Sequence, residues 1–361
     1  MHSELPTAPG AADAPTGDAG RPATEAVSAS TTPEAVAPLA PLEAPPRAVW
    51  TSLAPAVPWC PAEWIGHLEA VAPGLATAVA TTEAGEAVGD RLAAHGWTLV
   101  MASRRGRLHA HRGDHREDAG AISGMPSGWC AAVADGAGSA AWSRLGAAMA
   151  THVFTHAVRA ELATGGRAGD TLATAMQRAA DATNRALRDF ASRSGLALRD
   201  LRTTLLSVAL HQGSLAVMQV GDGAMALLHT GRVVIHPHAA ATGDYSGEVT
   251  HFLPDDGAVE HLRQSLAVRD ADDCVGVVLA TDGVDDPYYP FTRHVGSLYA
   301  QLLHGTTAET PLPAGLVPVR QAPVFDAPDP VRALSEWLAF EKRGENDDRT
   351  LCVIRRDGTS W

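Results

Sequence analysis

The sequence predicts a layered α+β domain with carboxylates gathered at the ends of its strands. Three observations carry that expectation. Strand patterns come first, two amphipathic helices follow, strands return, and further helices precede a last strand, unlike the regular strand–helix alternation of a parallel sheet. Three apolar runs, Trp129 to Ala134, Leu215 to Val220 and Val275 to Ala280, end abruptly in turns holding Asp135-Gly136, Gly221-Asp222-Gly223 and Asp282-Gly283. The pair Asp347-Asp348 stands just before a closing strand pattern, Thr350 to Ile354. A carboxylate delivered by a buried strand is costly unless something pairs with it. Strand ends that meet bring several such groups together, and the cluster then needs a multivalent cation.

Composition sets the outer limits. The 361 residues suffice for one large or two medium domains, and a hydrophobic fraction of 45% supports a sizeable core. A formal net charge of -13, with no run of Lys and Arg, argues against a nucleic-acid partner. No apolar stretch reaches membrane-spanning length, and no basic region followed by an apolar stretch opens the chain. A membrane partner and a signal peptide are therefore not expected. Cys60, Cys130, Cys274 and Cys352 lie far apart with no CxxC spacing. They read as thiols in a reducing cytoplasm, Cys130 and Cys274 being buried, rather than as disulfides or zinc ligands.

Taken in order, residues 1–46 hold 12 Ala and 9 Pro without a hydrophobic period, and are expected to be a disordered leader. Residues 47–94 are expected to form a helical lead-in, because Trp64, Ile65, Leu68 and Val71 have helical spacing and Trp50 and Trp59 need a packing surface. The main domain is expected over 95–358. Trp97 to Ala102 is its first strand, followed by a basic, histidine-rich loop from Ser103 to Arg116. After Trp129 to Ala134, one helix shows the stripe Leu145, Ala148, Met149, Val153 and Ala157. A second starts at the candidate N-cap Asp170 and shows Leu172, Met176, Ala179, Thr183, Leu187 and Phe190. Residues 203–236 read as a meander of short strands, 237–270 as a surface loop or flap, and Val295–Leu303 and Val331–Phe340 as helices.

The chemistry these residues suit is oxygen-only ligation. Aspartates without accompanying His or Cys favour Mg²⁺ or Mn²⁺ over zinc, and a bridging carboxylate can hold two such ions about 3.5–4 Å apart to activate water and clamp a phosphoryl oxygen. Each motif alone has a plainer reading. Asp-Gly is a common turn dipeptide, and Asp222 between two short strands reads as a hairpin turn. Glu117-Asp118 and Asp347-Asp348 alone read as solvated charges. His109, His111 and His115 are too irregularly spaced for a metal site and read as exposed loop residues. Thr203 and Thr204 read as strand residues whose hydroxyls support a turn. Gly136 and Gly138 mimic a dinucleotide fingerprint, but Asp135 would repel a pyrophosphate and a second helix stands where the next strand should be.

Six motifs in register carry a resemblance. Glu117-Asp118, Val133-Ala134-Asp135-Gly136, Thr203-Thr204-Leu205-Leu206, Val220-Gly221-Asp222-Gly223, Ala280-Thr281-Asp282-Gly283-Val284 and Asn346-Asp347-Asp348-Arg349-Thr350 follow the order and spacing of the protein phosphatase 2C family. Ala102 to Gly106, with His109 and Gly113, resembles its bacterial branch, and the likeness spans about residues 97–356. The resemblance implies a four-layer α-β-β-α sandwich, with two central antiparallel sheets and a metal site at one end of them. It implies a serine/threonine protein phosphatase that uses a hydroxide bound by two Mg²⁺ or Mn²⁺ ions. Asp135 would bridge the ions, the Gly136 carbonyl would join one, and Asp282 and Asp347 the other. Glu117 and Asp118 would ligate or orient metal-bound water, and Asp222 matches a third, outer metal position. The implied partners are phosphorylated proteins, a Ser/Thr kinase or its substrates. Two departures stand out. Ala137 occupies the place of a histidine proposed as general acid, and Gly113 that of a phosphate-binding arginine, which leaves Arg112, Arg116 and His109 as candidates for that role. These departures motivate an alternative, a catalytically silent binding or scaffold protein that retains the fold.

Overall fold

Two antiparallel sheets stack between two layers of helices. The structure is a computed structural model that describes residues 52–80, 86–163, 171–237 and 251–361. The Ala/Pro-rich leader, Trp50 and the candidate cap Asp170 lie outside the described residues. One sheet has six strands in the order β1 (Ala87–Ala94), β2 (Trp97–Arg104), β11 (Arg349–Arg356), β10 (Cys274–Ala280), β7 (Ala224–His229) and β8 (Val233–Ile235). The other has five, β3 (Ala119–Met125), β4 (Gly128–Ala134), β5 (Leu205–His211), β6 (Ser214–Val220) and β9 (Ala267–Asp270). All recorded pairings are antiparallel.

The central strands are apolar on both faces because each face meets another layer. In β4, Trp129, Ala131 and Val133 enter the core between the sheets, where Leu99, Leu206, Val277 and Ile354 also lie. Cys130, Ala132 and Ala134 face the opposite way, into a core shared with the helices α4 (Ser143–Ala163) and α5 (Thr171–Ser194). The short helices α1 (Ile65–Val71), α2 (Leu75–Ala80) and α6 (Ala258–Gln264) add Leu68, Leu75 and Leu262 to that core. Helices α8 (Phe291–His304) and α9 (Pro330–Trp337) cover the outer face of the six-stranded sheet with Val295, Leu298, Leu334 and Trp337. Each fully buried Leu or Val side chain contributes roughly 1.5–3 kcal/mol, enough in sum to hold polar groups at the strand ends against their desolvation.

Several expectations shift. The main domain begins before residue 95, because Ala87–Ala94 is an edge strand paired with β2 rather than part of a helical lead-in. None of its residues is buried, so it lacks the alternation that marks a half-buried strand. The expected loop Ser103 to Arg116 contains a short helix, α3 (Arg107–Arg112), closed by Gly113 in the left-handed region. Of the expected flap over 237–270, Ala258–Gln264 is helix α6 and Ala267–Asp270 is strand β9. The 203–236 segment is not one meander. β6 and β7 belong to different sheets, and Gly221-Asp222-Gly223 carries the chain between them instead of turning a hairpin. Both glycines have φ near +88°, which a residue with a Cβ adopts only under strain.

Register brings the functional ends together. Ala119 pairs with Ala134, Leu205 with Val220, Ala280 with both Ala224 and Leu351, and Arg349 with Arg104. The segments after β2, β4, β6 and β10, and those before β3, β5, β7 and β11, therefore emerge at one end of the stack.

Candidate active site

Asp135 leaves β4 with its backbone held from both sides. Its N–H donates to Thr204 Oγ1 at 2.8 Å, and its carbonyl accepts from Thr203 Oγ1 at 2.9 Å and Thr204 N at 2.8 Å. The two threonines are thus turn supports, as the sequence suggests. Gly136 follows because no side chain fits there. A Cβ would come within 2.7 Å of Ser143 at the start of α4 and 2.9 Å of the Glu117 carbonyl. Asp282 opens the single turn α7 (Asp282–Asp285) directly after β10. At Gly283 a Cβ would meet the Asp348 carbonyl at 1.8 Å, so glycine is what lets the β10 and β11 segments close on each other.

Asp118 is almost fully buried, and its Oδ2 accepts from Thr281 Oγ1 at 2.8 Å. Its carboxyl lies within hydrogen-bonding reach of that of Asp135. Burial, then the charges of Asp118 and Asp282, hold the Asp135 carboxyl well above the usual carboxylate range. Burial, then Asp347 and Asp118, do the same to Asp282. Asp118 is pushed up to about 7 by burial and Asp348, and Glu117 to about 7 chiefly by burial. Asp222 rises to about 6 through burial, with Asp286 and Asp347 adding to it, and Asp285 to about 7. Asp347, more exposed, is also raised, and its Oδ1 accepts the Asp348 N–H at 2.8 Å. Asp118 Oδ1 and Asp282 Oδ1 are buried with no donor among the described residues.

These observations fit a divalent-cation site. Like charges crowd together, Asp118 Oδ1 and Asp282 Oδ1 lack donors, and no Lys or Arg side chain makes an ion pair with Asp118, Asp135, Asp282 or Asp347 among the described residues. At the Asp347 side of the cluster, potential ligand atoms of His109, Asp347 and Asp348 lie within 4.8 Å of one another.

Asp348 does different work from Asp347. It is buried, and its oxygens accept the N–H groups of Gly106 and Glu117, each at 2.6 Å, with His109 Nδ1 3.0 Å from Oδ2. One carboxylate therefore clamps both ends of the α3 segment and fixes where Glu117 and Asp118 stand. Sequence reasoning does not separate this role from that of Asp347, since only the fold shows which of two adjacent aspartates points inward. Thr281 is likewise missed, because a threonine before Asp-Gly carries no distinctive signal. Asp348→Ala is expected to lower stability by roughly 3–5 kcal/mol, since it strands two buried N–H groups and a histidine. Urea denaturation checks this, and a loss within about 0.5 kcal/mol would contradict the clamp.

The three candidates for phosphate contact part company. Arg112 is exposed on α3. Arg116 donates Nε to the Asp118 carbonyl at 3.0 Å and lines a separate cavity. His109 is turned toward the cluster, with Nε2 4.0 Å from Glu117 Oε2. Burial opposes a charge on its ring, but Asp348, Glu117 and Asp347 outweigh that and lift its pKa to about 9. Ala137 offers no acid or base, and its N–H donates to the Arg202 carbonyl.

The family model of protein phosphatase 2C matches residues 105–317, more than half of the chain. The chain belongs to the protein phosphatase 2C family. The matched span contains Glu117, Asp118, Asp135, Gly136, Asp222 and Asp282, while Asp347 and β11 lie beyond it. As a member of this metal-dependent family, the protein is a protein serine/threonine phosphatase. Among solved structures it is similar to the serine/threonine phosphatase Stp1 from Staphylococcus aureus, at 14% identity over 72% of this chain and 95% of that one, with a TM-score of 0.46. The Mycobacterium tuberculosis serine/threonine phosphatase PstP/Ppp shares 18% identity over 72% and 99%, with a TM-score of 0.42. The S. agalactiae serine/threonine phosphatase shares 13% over 72% and 100%, at 0.48. No curated protein matches the chain. Among the described residues, no helix of this phosphatase 2C chain is long and apolar enough to cross a membrane.

Proposed function

We infer that this phosphatase removes phosphate from phosphoserine or phosphothreonine in proteins, with Mg²⁺ or Mn²⁺ held at the strand ends. The observation that carries the reading is the convergence of Asp118, Asp135, Asp282 and Asp347, two of them with buried oxygens that no donor among the described residues satisfies. Asp135, the Gly136 carbonyl, Asp282 and Asp347 would hold two ions, with Asp118 and Glu117 orienting water around them and Asp222 serving an outer, third position. When bound, the ions supply an activated water and neutralise charge on the phosphoryl oxygens.

The chain's own residues do the rest. Thr203, Thr204 and Thr281 fix the carboxylates so that little reorganisation accompanies reaction. His109 is the side chain best placed to meet the phosphoryl group, because its Nδ1 sits 3.0 Å from the buried Asp348 carboxylate and its Nε2 is turned toward the cluster. The hydroxyl nearest a carboxylate of the cluster, Thr281 Oγ1, is buried and held as a donor to Asp118 Oδ2, so a covalent phosphoenzyme is not part of this reading. The natural partners would be a bacterial Ser/Thr kinase or its substrates, in the cytoplasm. The test is phosphate release from matched phosphothreonine, phosphoserine and phosphotyrosine peptides in Mn²⁺. The first two are expected to turn over at least about tenfold faster than the third, a difference of roughly 1.4 kcal/mol in barrier. Equal rates, or preference for phosphotyrosine, would overturn the substrate class.

A further inference from the structure

Helix α4 presents two imidazoles one turn apart. His152 and His156 are four residues apart and so share a face of the helix. Their ring centroids are 4.1 Å apart, at an interplanar angle of 38°. Both border the cavity that Arg116 lines, a space of about 380 Å³. Of the carboxylates assigned to the active site only Asp118 borders that cavity; Asp135, Asp222, Asp282 and Asp347 do not.

Each ring has a nitrogen to offer. His152 Nε2 lies 3.0 Å from the carbonyl of Pro73, in the turn between α1 and α2. A carbonyl only accepts, so Nε2 carries the proton and the neutral ring keeps its lone pair on Nδ1. Metal-bound histidines are held in this way, since a far nitrogen that donates to a carbonyl fixes the ring and makes the ligating nitrogen more basic. His156 is exposed, and its recorded neighbour is the His152 ring. Burial, then His152 and Arg159, lower the pKa of His156, which leaves that ring neutral at neutral pH.

Two imidazoles chelate one ion when their bare nitrogens come about 3–3.5 Å apart, given metal–nitrogen bonds of about 2.1 Å closed at about 90–110°. Rings with centroids 4.1 Å apart reach that separation by rotating about the Cβ–Cγ bond. Ligation by nitrogen selects Zn²⁺ over Mg²⁺ and Mn²⁺, which prefer oxygen. We propose that His152 and His156 form a Zn²⁺ site on α4, separate from the divalent ions held by the carboxylates. The spacing is that of the helical zinc motif His-Glu-x-x-His, but Val153 stands where the glutamate base would be. The ion therefore brings no hydrolytic chemistry of its own. Because His152 also holds the α1–α2 turn, a bound ion fastens that turn to α4. No third protein ligand joins the pair among the described residues, and water completes the shell. With two protein ligands, and Arg159 adding positive charge nearby, the Kd is expected at roughly 1–100 µM.

The test is equilibrium dialysis of Zn²⁺ against the full chain at pH 8, in excess Mg²⁺ to compete at the carboxylates. Wild type is expected to take up one Zn²⁺ that His156→Gln binds at least about tenfold more weakly. His156 is exposed, so this variant keeps the fold, and its urea midpoint in EDTA should match that of wild type. His152→Gln should weaken the same ion by a similar factor, and equimolar Mn²⁺ should not displace it from wild type. Asp135→Asn should retain it, which separates this site from the carboxylate cluster. Zn²⁺ uptake says nothing of phosphate release, so the result stands apart from the functional reading. Equal uptake by wild type and His156→Gln, displacement by equimolar Mn²⁺, or loss of the ion in Asp135→Asn would overturn the proposal.

Discussion

Replacing Asp135 with asparagine is expected to abolish turnover and, at the same time, to make the metal-free protein more stable. The first effect follows from its place at the centre of the cluster, where its carboxyl meets Asp118 and the charge of Asp282. Divalent ions supply several kcal/mol of charge stabilisation to phosphoryl transfer, so loss of the ligand proposed to lie between them should slow phosphate release by about 10³-fold or more. The second effect follows from the same crowding. Asparagine keeps the shape and the backbone bonds to Thr203 and Thr204 but removes one of the mutually repelling groups. A gain of roughly 1–2 kcal/mol in EDTA at neutral pH is expected. Phosphate release and chemical denaturation, measured on the same preparations, check both. A variant that loses activity and stability together would instead mark Asp135 as a structural residue.

The second large effect is a pH dependence that metal abolishes. Glu117, Asp118 and Asp285 are each lifted to about 7, and Asp135 and Asp282 well above their ordinary range, burial being the leading cause throughout. A carboxyl whose folded pKa is raised binds its proton more tightly in the folded state than in the unfolded one. Its favourable contribution is therefore present at low pH and is lost as pH climbs from the unfolded value near 4 through the folded value. Metal-free protein should lose roughly 1–4 kcal/mol of stability between about pH 5 and pH 8, a range discounted for coupling among the groups. Metal binding should expel the protons, tighten as pH rises and restore the lost stability. Denaturation in EDTA and in Mn²⁺ across this range checks it. A metal-free protein whose stability rises over that interval would show that the carboxylates are not crowded as described.

The apolar strands and the long helices were legible because their burial leaves a periodic signature. All six positions of the α5 stripe are buried, and β4 and β10 are enclosed on both faces. The strand-end aspartates were legible for the complementary reason, since a charge at the end of an apolar run is unusual. What escaped was structure whose signature lies outside its own segment. Strand β1 is specified by pairing with β2 rather than by alternation. Helix α3 is held partly by Asp348, over 200 residues along the chain. The passage of Gly221-Asp222-Gly223 between sheets depends on which partners β6 and β7 choose, and no local pattern states that. The cavity that Arg116 lines draws on the segment before α1, on β1, β2, β3 and α4 and on both flanks of α3, so no stretch of sequence displays it.

The most direct test of the account is phosphate release from a phosphothreonine peptide by wild type, first in EDTA and then after Mn²⁺ is restored. The account predicts no measurable turnover in EDTA and full recovery with metal, because among the described residues no Lys or Arg makes an ion pair with the crowded Asp118, Asp135, Asp282 and Asp347 carboxylates. Turnover that persists unchanged in EDTA would contradict it, as would folded protein that takes up Mn²⁺ and still releases no phosphate.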